Sequence, residues 1–246
     1  MSPSREDLPP NSPLLTSVVL AENLLPQGIA VGDISQTGAI VWVRTEGPSL
    51  VQAEWATPAQ WEIVSKMGTA RASISKTAWL ATTKDRDYTL SLPITGLAPA
   101  TRYRYHISVE RKGSSVRGQP KLAARGEFTT LSDSDTSVPV TFIWSADLGG
   151  QGHCRRGTVG YPIFEVMRQR EPDFFLFLGD TIYADNVCPA PPNEAGADFV
   201  ATTLDDYRAR HRYQRGAAAL RRFLETVPVY ATWDDHEVRN NFAGPF

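Results

Sequence analysis

The chain has 246 residues, of which 41% are hydrophobic and 21% are charged, an ordinary composition for a folded globular protein. Its 25 basic and 27 acidic side chains leave a formal charge of −2, so the total charge gives no indication of binding to nucleic acid or to an anionic membrane. No apolar run approaches the roughly 20 residues that span a bilayer, and we expect a soluble protein. Two cysteines, Cys154 and Cys188, are too few for a disulfide framework, and we interpret them as unpaired thiols.

The first half of the chain is predicted to be a β-sandwich. Residues 1–27 are expected to form a flexible segment, and Met1–Pro13 shows no apolar stretch typical of a secretory signal, so the compartment is left open. From residue 28 to residue 130, short runs such as Ile40–Thr45 alternate apolar and polar side chains between turn residues. This period of two is typical of antiparallel strands with one buried face. Only the stretch around Ala59–Lys66 is ambiguous between strand and helix.

One local motif refines the prediction for this half. The stretch Leu97–Tyr103, L-A-P-A-T-R-Y, leads directly into the alternating run Y-R-Y-H-I-S-V. It resembles the corner before the sixth strand of fibronectin type III domains, in which a tyrosine hydroxyl bonds to the backbone upstream. We therefore expect a fibronectin III-like sandwich over residues 28–130, a fold that by itself indicates no function.

The pattern changes after a polar linker predicted at residues 131–138. Three nearly continuous apolar runs follow, typical of strands covered on both faces: Val140–Ala146, Asp173–Leu178 and Pro228–Trp233. Helices are predicted between them at Tyr161–Arg170 and at about Leu204–Glu225. The order β-α-β-α-β predicts a parallel sheet with right-handed crossovers, which we assign to a second domain over residues 139–246.

Each of the three apolar runs is followed by acidic residues, among them Asp147, Asp180 and Asp235. In a parallel sheet these strand ends share one edge, where ligands bind, and Tyr183 and His236 would reach the same edge. Taken singly, each of these residues has a plainer interpretation as a helix cap, a packed aromatic or a solvated turn. Together they predict a metal site, because carboxylates that meet in one crevice repel each other unless cations lie between them.

The donor types favour hard or borderline metal ions. Carboxylates and a phenol, without Cys-x-x-Cys or His-Glu-x-x-His spacing, indicate iron, manganese, calcium or magnesium rather than structural zinc. The identity of the metal is left open at this point.

Three blocks of the second half resemble a known family. S-A-D-L-G-G, F-L-G-D-T-I-Y-A-D and W-D-D-H-E-V-R-N-N resemble the PhoD-like phosphatases, a branch of the calcineurin-like metallophosphoesterases. The resemblance covers Val140–Phe246, and the predicted sandwich stands where that family has its N-terminal domain. It implies hydrolysis of phosphate mono- or diesters at two metal ions by a metal-activated hydroxide.

The resemblance also implies roles for single residues. Asp147 and Tyr183 would bind the first metal and Asp180 would bridge both metals. Most metallophosphoesterases have Gly-Asn-His-Glu where this chain has Asp-Asp-His-Glu, so Asp235 stands in place of an asparagine ligand of the second metal. Asn240 is the amide alternative for that position. The catalytic histidine would be His236, which would stabilise the transition state or protonate the leaving oxygen.

Two arginines and the end of the chain add further expectations. Arg155 and Arg156 follow the first strand and are candidates to bind the substrate phosphate, with ordinary surface arginines as the alternative. The family's later histidine ligands, including a Gly-His-x-His block, have no counterpart, because no histidine follows His236. We therefore expect the N-terminal part of a longer enzyme, with little activity alone and with the C-terminal half of the catalytic domain as its missing partner. A three-stranded sheet of this kind should also expose one apolar flank.

The sequence is also compatible with a protein that is not an enzyme. The chain could be a non-catalytic binding or adhesion protein in which the acidic edge holds a structural calcium ion. An α/β-hydrolase is disfavoured, because the sequence has no Gly-x-Ser-x-Gly elbow. Metal content and hydrolysis of nitrophenyl phosphates separate these possibilities.

Overall fold

The structure is a computed structural model of the chain that describes residues 23–68, 73–112, 119–150, 152–157 and 160–244. The strands of the first half are β1 (Ile29–Gly32), β2 (Gly38–Arg44), β3 (Ser49–Ala56), β4 (Ser75–Lys76), β5 (Leu80–Ala81), β6 (Thr89–Thr95), β7 (Arg102–Arg111) and β8 (Lys121–Thr129). One antiparallel sheet has the order β1-β2-β6. The other has the order β4-β3-β7-β8, with β5 also paired to β3. The two sheets enclose one apolar core.

The core of the sandwich follows the predicted alternation. On β2, Val41 and Val43 are completely buried, whereas Trp42 and Arg44 lie on the opposite face. Because successive side chains of a strand point to opposite faces, the second face of β2 is left free to contact the other half of the chain.

The ambiguous stretch forms a helix, α1 (Pro58–Met67). Its N-terminus carries a capping box, in which the Thr57 side chain accepts the backbone N–H of Gln60 and the Gln60 side chain accepts the backbone N–H of Thr57. Such reciprocal bonds satisfy two donors that a helix end otherwise leaves free, and Pro58 at the first helical position is already set in a helical conformation. Local capping chemistry therefore decides the ambiguity in favour of helix.

The predicted tyrosine corner is present. The hydroxyl of Tyr103 accepts the backbone N–H of Ala98 at 2.9 Å. Thr130 ties the end of β8 to the same corner, because its hydroxyl donates to the carbonyl of Ala98 at 2.7 Å. The corner thus fixes the entry into β7 and the exit from β8 with side-chain bonds to backbone atoms.

The predicted flexible segment 1–27 falls largely outside the described residues. Its last part, residues 23–27, is described and packs against the sandwich. Leu24 and Leu25 are buried in the sandwich core. Packing therefore begins a few residues before the predicted boundary at Gly28, and the remaining domain boundaries stay predictions.

The second half contains the elements β9 (Phe142–Ser145), α2 (Ile163–Arg168), β10 (Phe174–Leu178), α3 (Leu204–Arg215), α4 (Ala218–Leu224) and β11 (Val229–Thr232). The three strands form one parallel sheet with the order β11-β10-β9, in agreement with the predicted topology. Phe175 on the central strand β10 pairs with Ile143 on one side and with Val229 on the other. In the described part of the chain, no helix has the length and hydrophobicity needed to cross a membrane.

The single helix predicted at about Leu204–Glu225 is wrong, because the structure has two helices there. α3 ends at Arg215 with Gly216 as its C-cap, and Ala217 is extended, with φ −63° and ψ 123°. Glycine weakens the helix at this point, and a Cβ at Gly216 would lie 2.6 Å from Nη1 of Arg155. The break lets the two helices present different faces: α4 buries its apolar side, whereas α3 turns a basic side toward the sandwich.

The parallel sheet is covered on one face only among the described residues. Phe175 and Phe177 are buried against Phe164 of α2 and helix α4. The opposite face leaves Trp144 63% exposed and Phe142 50% exposed. The apolar runs therefore do not reflect burial on both faces here, and the expected exposed flank is present.

The two cysteines form a disulfide, so the interpretation as unpaired thiols is wrong. Cys154 and Cys188 are both buried, and their Cα atoms lie 6.0 Å apart. The side chain of Asn193 accepts the backbone N–H of Cys154 at 2.9 Å, and Cys188 donates its backbone N–H to Ala197 at 2.8 Å. These bonds bring together two loops that are distant in sequence, and a count of cysteines gives no information about such a loop path.

The two halves pack directly against each other. Tyr230 of β11 donates its hydroxyl to the carbonyl of Ile34 at 3.1 Å. Gly32 at the end of β1 lies so close to β11 that a Cβ there would be 2.7 Å from the carbonyl oxygen of Val229. The close contact of these backbones fixes the position of the sandwich relative to the parallel sheet.

Candidate metal centre

The three acidic strand ends meet at one edge of the parallel sheet. Asp147 follows β9 and Asp180 follows β10, and the loops are tied together because the backbone N–H of Leu148 donates to the carbonyl of Asp180 at 2.9 Å. Both aspartates have a positive φ, 60° for Asp147 and 52° for Asp180, a conformation that aspartate tolerates better than most residues. Gly179, with φ 92°, lets the end of β10 approach Asp234, since a Cβ there would be 2.4 Å from that side chain. Tight turns therefore bring the acids close together.

A group of three side chains at this edge could hold a metal ion. Asp180, Asp235 and His236 each offer one ligand atom, and these atoms lie within 4.8 Å of one another. The backbone N–H of His236 donates to Oδ1 of Asp180 at 3.2 Å, and the side-chain Nε2 of His236 lies 3.9 Å from Oδ1 of Asp235. Burial raises the pKa of Asp180, so a nearby cation would stabilise its ionised form.

Tyr183 connects this group to Asp147. Its ring is buried and lies 4.4 Å from the ring of His236, and its hydroxyl donates to Oδ1 of Asp147 at 2.9 Å. Burial raises the pKa of Tyr183 strongly, and the bond to Asp147 and the charge of Asp180 raise it further. Gly150 is required beside it, because a Cβ at that position would be 2.4 Å from the tyrosine ring. The predicted residues Asp147, Tyr183, Asp180 and His236 therefore form one continuous set of contacts.

Asp185 holds the imidazole of His236, a contact that the sequence analysis missed. Its Oδ1 lies 2.8 Å from Nδ1 of His236, and its Oδ2 accepts the backbone N–H of Asn240 at 2.7 Å. Burial lowers the pKa of His236, but the hydrogen bond and charge of Asp185 and the charges of Asp180 and Asp235 raise it, and the net shift is upward. The signal was available, since Asp185 ends the block F-L-G-D-T-I-Y-A-D.

Glu237 is a second residue that the sequence analysis left without a role. It is buried, and its carboxylate accepts the backbone N–H groups of Asp180, Thr181 and Asp234, with the Thr181 hydroxyl as a further donor. Burial raises the pKa of Glu237, but these hydrogen bonds lower it below its ordinary value. Glu237 therefore fastens the end of β10 to the end of β11 beneath the candidate ligands.

The remaining predicted site residues lie in other surroundings. Asn240 reaches the site only through its backbone bond to Asp185, and its side chain is exposed. The Arg155 guanidinium donates to the carbonyl of Tyr213 at 2.7 Å and to Glu194 at 2.6 Å and stacks on the Tyr213 ring. These contacts favour the alternative of a structural arginine, and the role of Arg155 in substrate binding stays a prediction. Arg156 is exposed, with Nη2 2.7 Å from Nδ1 of His153.

Comparisons with known proteins agree with the geometry. The family model of the PhoD-like phosphatase matches residues 144–245, and the model of the PhoD-like phosphatase N-terminal domain matches residues 15–132. Alkaline phosphatase D of Bacillus subtilis strain 168 is 28% identical over 232 aligned residues, which cover 88% of this chain and 36% of that protein. This chain thus spans about a third of the length of that relative.

Solved structures show the same fold. A structure of PhoD superposes with a TM-score of 0.68 at 24% identity and covers 91% of this chain and 41% of its own. The purple acid phosphatase PPD1 from yellow lupin seeds superposes with a TM-score of 0.56 at 12% identity, covering 86% of this chain and 36% of its own. The two family models together account for both halves, and the chain belongs to the PhoD-like phosphatase family.

Proposed function

We propose that this chain supplies part of the metal centre of a phosphoesterase that hydrolyses phosphate mono- or diesters. The observation that carries the proposal is the convergence of Asp180, Asp235 and His236 within 4.8 Å of one another. Asp147 and Tyr183 extend this group along the same sheet edge through the 2.9 Å bond between their side chains. Membership in the phosphatase family supports the same assignment.

The donor set fits hard or borderline cations. Carboxylate oxygens, a phenol oxygen and an imidazole nitrogen suit iron, manganese, calcium or magnesium, and the set contains no free thiol. The carboxylates have been brought together at the cost of mutual repulsion, which a cation would remove. In our assignment Asp147, Asp180 and Tyr183 would hold one ion, and Asp180 and Asp235, with Asn240 as the amide alternative to Asp235, would contribute to a second, while His236 acts as the acid.

Bound cations would lower the pKa of a water molecule and neutralise the charge of the phosphoryl oxygens. The chain's own contribution is to orient an acid. Asp185 binds Nδ1 of His236 at 2.8 Å, which leaves Nε2 directed to the side of Asp235. A protonated His236 can then donate its Nε2 proton to the leaving oxygen, and Asp185 stabilises the charged imidazole before that transfer.

The two arginines that follow β9 differ in how available they are to a substrate phosphate. Arg156, which is exposed, remains a candidate for binding the substrate phosphate, whereas the guanidinium of Arg155 is already bonded to Glu194 and Tyr213. The donors assigned to this chain are fewer than two such cations require, since a hard cation such as calcium or magnesium takes roughly six or more ligands. We therefore expect this chain alone to turn over substrate slowly.

A metal-binding experiment with a matched control tests the proposal. Asp180→Asn removes a charge at the C-terminal end of β10, and Asp173→Asn removes one at the N-terminal end of the same strand, where Asp173 accepts the backbone N–H of Thr141 at 2.7 Å. We expect Asp180→Asn to weaken manganese binding at least about tenfold by titration calorimetry, and Asp173→Asn to leave it unchanged. Equal manganese affinity in the two variants would contradict the assignment.

Iron adds a spectroscopic readout for Tyr183. If this phenol binds iron, the loaded chain should show a tyrosinate charge-transfer band that Tyr183→Phe abolishes. Hydrolysis of nitrophenyl phosphate and bis-nitrophenyl phosphate then separates monoesters from diesters. Binding of calcium alone, with no hydrolysis of either ester, would instead favour a structural cation site in a non-catalytic protein.

A further inference from the structure

A second charged region lies between the sandwich and helix α3. A cavity of about 520 Å³ opens there, and it is lined from the sandwich side by β2 and by the turn at residues 85–87. Its opposite wall is one face of α3, formed by Arg208, His211, Arg212 and Arg215. None of the residues that line this cavity belongs to the candidate metal centre.

The basic wall follows from helix periodicity. Positions 208, 211, 212 and 215 stand at i, i+3, i+4 and i+7, so all four side chains lie on one face of α3. Alignment of three arginines and a histidine on one face is unfavourable for the isolated helix, because like charges at these spacings repel. The wall faces Arg44 on β2 and Arg86 in the turn, which increases the repulsion.

The charges that line the cavity do not balance. Five arginines and two aspartates contribute, so the formal charge is +3 before His211 is considered. Asp87 pairs with Nε of Arg44 at 3.0 Å and with Nη1 of Arg212 at 2.7 Å, but its single negative charge offsets only one of these two arginines. The other aspartate of the lining, Asp85, has an exposed side chain. Within the lining, Asp87 is therefore the one aspartate that makes ion pairs with these arginines.

Two guanidinium groups are left without a carboxylate. Within the described ranges, the side chains of Arg86 and Arg215 take part in no ion pair, and Nη1 of Arg215 is buried with no hydrogen-bond partner. The Arg215 guanidinium lies 4.3 Å from the centre of the Trp42 ring, which holds it in place beside the cavity. Burial lowers the pKa of Arg215 to about 10, so the group is still charged at neutral pH.

We propose that this cavity is a non-catalytic site for a multiply charged oxyanion, such as inorganic phosphate, pyrophosphate or the phosphate groups of a larger molecule. Arginine suits this ligand class because its planar fork of donors matches phosphate oxygens. Arg86 and Arg215 come from different halves of the chain, so an anion bound by both would fasten the sandwich to α3. The site stands on its own and does not depend on the proposed phosphoesterase activity.

Titration calorimetry with pyrophosphate tests this site. The 246-residue chain is titrated in low-salt buffer with a chelator present, so that metal ions do not contribute. We expect saturable binding of one pyrophosphate per chain that weakens as sodium chloride is added. Arg86→Gln and Arg215→Gln should each reduce the affinity about tenfold, the loss typical of one charge-assisted hydrogen bond.

Matched variants separate this site from the metal centre. Arg170→Gln removes the same charge from an exposed arginine outside the cavity and should bind pyrophosphate like the parent chain. Asp180→Asn changes the metal centre and should also leave binding unchanged. Because Arg215→Gln changes a partly buried residue that stacks on Trp42, its fold is checked by thermal unfolding, and Arg86→Gln carries the test if Arg215→Gln is unfolded.

Two outcomes would overturn the proposal. No saturable binding of pyrophosphate would mean that the arginines only hold the two halves together. Binding that survives both cavity substitutions would place the anion elsewhere on the chain.

Discussion

The candidate metal centre and the basic cavity both collect charges of one sign, but they hold them differently. The acids of the metal centre sit on short side chains in tight turns, with positive φ at Asp147 and Asp180. The arginines of the cavity are long side chains that reach across an interface between two halves. The first arrangement is fixed by backbone geometry, and the second by packing and by one shared counter-ion, Asp87.

This difference indicates what each region can bind. Ligands fixed to about an ångström suit a small cation, which requires short and well-defined distances. Flexible arginines suit a larger anion whose oxygens they can follow, and they lose side-chain entropy when it binds. A substitution that loosens the first region should therefore cost more stability than one that unpairs a charge in the second.

The largest effect is expected from Glu237, the carboxylate that fastens the metal centre. Glu237→Ala would leave the buried backbone N–H of Asp180 and the partly buried N–H groups of Thr181 and Asp234 without their acceptor. We expect the free energy of unfolding to fall by about 3 kcal/mol, measured by urea denaturation. The free energy of unfolding of the control Asp133→Asn, which changes an exposed residue, should lie within about 0.5 kcal/mol of that of the parent chain. A similar small change for Glu237→Ala would show that the turns hold themselves in place without this carboxylate.

The metal centre was more accessible to prediction than the cavity. Asp147, Asp180 and Asp235 follow apolar runs, and the parallel order alone brings such strand ends to one edge. The roles of Asp185 and Glu237 depend on the path of the loops after β10 and β11, which periodicity does not specify. The same is true of the disulfide between Cys154 and Cys188, since the pairing depends on where two loops meet.

The basic cavity could not be predicted from the sequence, for a different reason. The spacing of Arg208, His211, Arg212 and Arg215 is visible in the sequence, but it is compatible with an ordinary solvated helix face. Its significance appears only when the helix break at Gly216 and the contact with β2 place that face against further arginines. The local sequence pattern therefore predicts the helices and strands. The packing between the two halves of the chain determines what surrounds their polar faces.

A smaller effect is expected from Asp87, the counter-ion of the cavity. Burial raises the pKa of Asp87, but the bonds and charges of Arg44 and Arg212 lower it below its ordinary value. Asp87→Asn should cost about 2 kcal/mol in urea denaturation, between the values typical of exposed and of buried ion pairs. Asparagine tolerates the positive φ of 50° at this position, so backbone strain should not contribute.

The same variant, Asp87→Asn, also tests the binding of an anion in the cavity. Removing the charge of Asp87 leaves Arg44 and Arg212 without a carboxylate partner, so pyrophosphate should bind more tightly to Asp87→Asn than to the parent chain in titration calorimetry. Added pyrophosphate should also recover part of the lost stability by mass action. A variant that loses stability and binds pyrophosphate no better would argue that the cavity is a structural ion-pair network.

The smallest effect is expected from His106 of the sandwich, which lies outside both charged regions. This histidine makes the stability of the folded chain depend on pH independently of either region. The centre of its ring lies 4.1 Å from that of Trp61 at an interplanar angle of 31°, and burial together with the charge of Arg125 lowers the pKa of His106 from 6.5 to about 4. The unfolded chain therefore binds a proton that the folded chain does not bind, so stability is lost as pH falls from about 6.5 toward 4. The loss is at most about 1.4 kcal/mol per pH unit for one group, and solvent exposure of the ring reduces it. Urea midpoints are measured at pH 7.5, 6 and 5, and the midpoint of His106→Gln should fall less with decreasing pH than that of the parent chain. The carboxylates contribute equally to the pH dependence of both chains, so the difference between the two curves comes from His106. Parallel curves for the two chains would mean that His106 is protonated in the folded sandwich as readily as in the unfolded chain.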